Sequence, residues 1–115
     1  LYEYVFLTGD LEKWEYMAEP HCGFCSNVSR DVREMHSKGN HRVSGPPRWL
    51  GKPKVRQVDN TLVWEVKLKA EVSGSTTFDK SGAIISKSEP GIAKVTLGLR
   101  HNAERWRVMG VRVDD

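Results

Sequence analysis

Trp64-Glu65-Val66-Lys67-Leu68-Lys69-Ala70-Glu71-Val72 is the stretch that decides the fold. Trp64, Val66, Leu68, Ala70 and Val72 alternate with Glu65, Lys67, Lys69 and Glu71. In a strand successive side chains point to opposite faces, so this segment predicts a half-buried strand with one wet face. Working outward, Ala93, Val95, Leu97 and Leu99 repeat the alternation with Lys94, Thr96, Gly98 and Arg100. Residues 101–104 predict a hairpin loop between that strand and the last one. The last strand, 105–113, changes phase: Trp106 and Val108 share one face, and Met109, Val111 and Val113 share the other. A β-bulge near Val108–Gly110 reconciles the two.

Upstream, residues 54–58 predict a strand after Pro53, and Asp59-Asn60 a turn. Residues 83–85 predict a short strand beside a turn over 79–82. Pro46-Pro47 makes 41–50 irregular or an edge strand, because proline donates nothing to a ladder.

The first third has a helical period instead. Residues 1–7 run into Thr8-Gly9-Asp10, where Gly9 suits a helix C-terminus and Asp10 an N-cap. Leu11, Trp14 and Ala18 form one face of a second helix that Pro20 ends. Phe24, Val28, Val32 and Met35 form the stripe of a third helix over 22–38, closed by Gly39-Asn40. Helices followed by strands indicate an α+β layer fold. The expected architecture is a strongly curved antiparallel sheet wrapped over about three N-terminal helices.

The chain has 115 residues, 38% apolar and 29% charged, which fits one globular domain over 1–115. Eighteen basic and 15 acidic residues leave a net charge of +3, and the basic residues are dispersed. That dispersal argues against nucleic acid, whose binders concentrate Lys and Arg. Lys67, Lys69, Arg100 and Arg107 all fall on strands, and whether they converge depends on register. No apolar run is long enough to span a membrane.

Cys22-Gly23-Phe24-Cys25 admits several readings. A disulfide across the first turn of the third helix suits exported proteins. A thioredoxin-like redox pair would need a preceding strand in a βαβ frame, which is missing. A zinc site with His36 and His41 copies finger spacing, but one continuous helix of about 15 Å separates Cys25 from His36. A reduced buried pair is the remaining case. The disulfide is the expectation, with no metal and no cofactor.

No Ser–His–Asp order or glycine-rich phosphate loop is present, so no catalytic residue is assigned. Trp14, Trp64, Trp106 and Phe24 are candidate pocket-lining residues, weighed against a plain role as core. Asp31 and His36 are the acid–base candidates for a rival reading as a small isomerase- or dehydratase-like enzyme.

Thr8-Gly9-Asp10, Pro20-His21-Cys22-Gly23-Phe24-Cys25 and Arg105-Trp106-Arg107-Val108 together resemble an uncharacterised family of exported actinobacterial lipoproteins. The resemblance spans roughly 1–113. That family is similar to the nuclear-transport-factor-like, or ketosteroid-isomerase-like, superfold, a conical α+β barrel. The resemblance implies a lipid anchor upstream of Leu1 and a domain outside the membrane, and it implies no activity. The expected function is a non-catalytic binding or scaffolding domain. Its partner would be a protein or a small apolar ligand. A self-associating apparatus component, forming a stable homo-oligomer, is a third class.

Overall fold

The computed structural model describes residues 1–59, 61–102 and 105–114. Three helices come first: α1 (Tyr2–Thr8), α2 (Glu12–Met17) and α3 (Gly23–Ser37). Gly9 ends α1 in the left-handed conformation, φ 76°, and donates its N–H to the Val5 carbonyl. A residue without Cβ adopts that backbone cheaply. Asp10 Oδ1 accepts from the Glu12 N–H at 3.1 Å, although Leu11 occupies the N-cap of α2. Cys22 caps α3.

The helices make their own core. Val5, Phe6, Leu11, Val28 and Val32 are buried together, and Tyr2, Trp14, Phe24 and Met35 pack against them. Arg42 lies over this cluster, its guanidinium carbon 4.7 Å from the Phe6 ring centre. Stacking on an aromatic face retains the charge without burying it in hydrocarbon.

Eight strands follow among the described residues: β1 (His41–Ser44), β2 (Arg48–Trp49), β3 (Lys54–Gln57), β4 (Val63–Val72), β5 (Ser75–Phe78), β6 (Ile84–Ser88), β7 (Gly91–Asn102) and β8 (Arg105–Asp114). The large sheet is antiparallel in the order β2-β4-β7-β8, with β3 pairing the same edge of β4 as β2. The small sheet runs β1-β5-β6. The β4/β7 ribbon continues into β5/β6 through Ser73-Gly74 on one side and Glu89-Pro90 on the other. A Cβ on Gly74 would sit 2.5 Å from the Ser88 carbonyl oxygen, so only glycine lets the ribbons approach this closely.

The bulge falls where the phase change in β8 requires it. Gly98 opposes Gly110 and Leu99 opposes Val108, which leaves Met109 as the extra residue. Pairing runs further than expected at the hairpin, since His101 opposes Trp106 and Asn102 opposes Arg105. The rest of the expected loop, Ala103 and Glu104, lies outside the described residues, as does Asn60 of the expected 59–60 turn.

The conical barrel is not what the chain forms. Strands make up 46% and helices 25%, so the molecule is largely β, with two open sheets rather than one curved sheet wrapped over helices. Two physical causes stand out. The ribbon breaks at Gly74 and Pro90, which divides the sheet before it can curve closed. The helical core also closes on itself and meets the large sheet at its edge. Ala18 bridges Val108 of β8 in parallel, and the Glu19 N–H donates to the Val108 carbonyl at 2.8 Å. The small sheet is met at β1 by α1. Among the described strand residues only Ala70 and Ser75 are buried.

Candidate functional site

Antiparallel register places every second residue of neighbouring strands on one face. On the polar face of the large sheet, Lys54 of β3 lies opposite Lys67 of β4, and Lys69 of β4 opposite Lys94 of β7. Thr96 then opposes Arg112 of β8. Like charges directly across a ladder are destabilising. Two such pairs side by side are therefore a feature that packing alone does not select.

These residues line an open groove of about 600 Å³ with Lys52, Leu50, Gly51, Leu68, Val95 and Asp114. Six cations thus face one carboxylate. Asp114 opposes Lys94 in register, yet its Oδ2 accepts from Arg112 Nε at 3.2 Å. Glu65 approaches Lys67 at 3.8 Å. Among the described residues no carboxylate lies within 4.0 Å of Lys52, Lys54, Lys69 or Lys94, and all four are exposed. Lys54 on β3 could serve merely to protect a sheet edge. Lys67, Lys69 and Lys94 sit on interior strands, where that role does not exist.

Arg100 and Arg107 do not join this patch. They oppose each other nearer the β7–β8 turn, where Arg107 Nη2 donates to the Ala18 carbonyl at 2.9 Å. Glu19 is 7% exposed there and has Arg100 Nη1 at 4.0 Å. Glu19 and Arg107 border a smaller cavity of about 330 Å³ beside Cys25. Sequence reasoning missed Glu19 because nothing in its spacing marks a carboxylate as buried.

The four candidate pocket residues fall into two places. Trp14 and Phe24 lie 6.4 Å apart, centre to centre, against the helical core, and Trp14 Nε1 donates to the Cys25 carbonyl at 3.1 Å. Trp64 and Trp106 meet edge to face at 6.3 Å on the large sheet, where Trp106 is 47% exposed. None of the four lines either the lysine groove or the cavity beside Glu19.

Cys22 and Cys25 form a disulfide, with Cα atoms 5.2 Å apart and both residues buried. Cys22 Sγ also accepts from the Cys25 N–H at 3.2 Å, capping α3. Burial makes the bond a structural clamp rather than an accessible redox pair. No group of three metal-ligating side chains occurs among the described residues.

The acid–base candidates hold structural positions. Asp31 is exposed and pairs with Arg30 at 3.4 Å. His36 Nε2 donates to the Phe6 carbonyl at 2.9 Å, tying α3 to α1. The shifted pKa values also belong to surface contacts. The hydrogen bond from Lys38 lowers Glu34, hydrogen bonds from Ser81 and the Ala83 N–H lower Asp79, and the hydrogen bond to Asp10 raises Tyr4.

Residues 1–112 match the model of DUF6318, a family of unknown function. The chain is a DUF6318 domain. No curated protein matches it. The DUF6318 domain is similar in fold to the intermembrane space region of the chloroplast protein ARC6, known from a crystal structure. The TM-score is 0.68 at 10% identity, over 97% of this chain and 84% of the other. At that identity the likeness concerns fold alone.

Proposed function

We propose that this DUF6318 domain is a non-catalytic binding or scaffolding module of an exported actinobacterial lipoprotein, held outside the cytoplasm by a lipid anchor. Its recognition surface is the lysine face of the large sheet, and its partner is anionic. The observation that carries this is the pair of opposed lysine pairs, Lys54–Lys67 and Lys69–Lys94, lining one groove. Repulsion kept inside a ladder is a loss to the free domain that a bound anion would offset. The buried Cys22–Cys25 disulfide supports the location, because such bonds persist in oxidising compartments.

Lys69→Glu tests the surface directly. It replaces an opposed like-charge pair by an attractive one, so the midpoint of thermal unfolding should rise by about 2–5 °C. Retention on a sulfate-bearing exchange matrix should fall well below that of Lys13→Glu, which makes the same charge change on exposed α2. A variant that is less stable and retained like Lys13→Glu would make the lysines structural and overturn the proposal.

A further inference from the structure

We infer that the groove binds a linear, base-free polyanion, a chain carrying one anionic group per repeat, laid across the strands. The inference rests on the lysine face being the recognition surface.

The geometry of the charges points to a chain. Neighbouring strands lie about 4.8 Å apart, and residues i and i+2 about 6.7 Å apart. Lys54, Lys67, Lys69 and Lys94 step from β3 across β4 to β7 at these two spacings, and Arg112 continues the path onto β8. One phosphate ion can neutralise only one or two of these steps. A chain whose anionic groups recur at about this spacing or more closely, as every second group of a polyphosphate does, can follow the path from Lys54 to Lys94.

The residue types narrow the ligand further. Five of the six cations are lysines, which act as mobile point charges and read charge rather than shape. The lining holds no aromatic side chain. Single-stranded nucleic acid gains much of its affinity by stacking bases on aromatic rings, so a chain without bases is the better fit. The floor is concave, with Leu50, Gly51 and Lys52 along one side.

The test titrates the intact domain with medium-chain inorganic polyphosphate by calorimetry at several salt concentrations. Parallel titrations use orthophosphate and vesicles of anionic phospholipid. Saturable polyphosphate binding that weakens with salt is expected. Lys94→Gln should flatten the slope of log affinity against log salt by roughly 0.7, one lost contact. Lys13→Gln should leave it unchanged. Orthophosphate binding as tightly as polyphosphate would overturn the chain in favour of a single-anion site. Vesicle binding without polyphosphate binding would overturn it in favour of a membrane surface. Binding of none of the three, with Lys69→Glu still stabilising and weakly retained, would overturn the ligand class and leave the binding surface standing.

Discussion

Single residues show how narrow the tolerances are. Gly74 faces the Ser88 carbonyl with no room for a methyl group. Gly74→Ala should destabilise the domain by about 2 kcal/mol, read from chemical denaturation, because backbone on both sides must move. Gly91, whose Cβ would meet nothing within 4 Å, is the matched control. Asp79 works through hydrogen bonds instead. Its Oδ1 accepts from the Ser81 N–H, the Ser81 hydroxyl and the Ala83 N–H at 2.7–3.0 Å, closing the β5–β6 turn. These bonds hold its carboxyl below the ordinary value of 3.8. A lowered folded-state pKa means the contribution is complete above 3.8 and is lost as pH falls from there through the folded value. Protection of the Ser81 and Ala83 amides, measured as exchange relative to the intrinsic rate at each pH, should therefore fall below that pH. Asp79→Asn should show fast exchange already at neutral pH. An unchanged profile in both would remove Asp79 from the turn.

At the scale of the element, the disulfide and α3 act together. The Cys22–Cys25 loop is very short, so chain entropy contributes only about 2 kcal/mol. Cys22→Ser/Cys25→Ser should lower stability by about that amount while circular dichroism keeps the helical signal, since serine also caps helices well. Complete loss of the fold would mean the bond orders the chain far beyond its first turn. Much at this scale was legible in the sequence. The stripe Phe24, Val28, Val32 and Met35 predicted α3 to within a residue at each end, and the phase change between Trp106 and Met109 located the bulge. Both signals are local periodicities, and local sterics set them. The position of β1 and β2 was less legible. Short edge segments around Pro46-Pro47 carry too few residues to show a period.

The whole molecule departs most from expectation. Its extents are 53 × 28 × 18 Å and its radius of gyration is 15.5 Å. A compact domain of this length would have about 13 Å. Solution scattering should give a value near the larger figure for two open sheets with helices at one edge. A value near the smaller one would restore a closed form. The lysine groove belongs to this scale as well. Lys54, Lys67 and Lys94 are far apart in the chain and looked dispersed as a list of charges. Only the register of β3, β4 and β7 sets them opposite one another.

The alternation from Trp64 to Val72, the helical stripe and the Cys22–Cys25 spacing determined, unaided, that β4 is a strand, that α3 is a helix and that one short crosslink was available. Each depends on neighbours within a turn or a pleat. What only the tertiary structure decided is where these elements stop meeting. The ribbon parts at Gly74 and Pro90, the helices bury their apolar faces on each other, and they reach the large sheet mainly along β8. Those outcomes come from competition between distant surfaces for contact, which no local period records. The same competition buries Glu19 and leaves the lysine face of the sheet open.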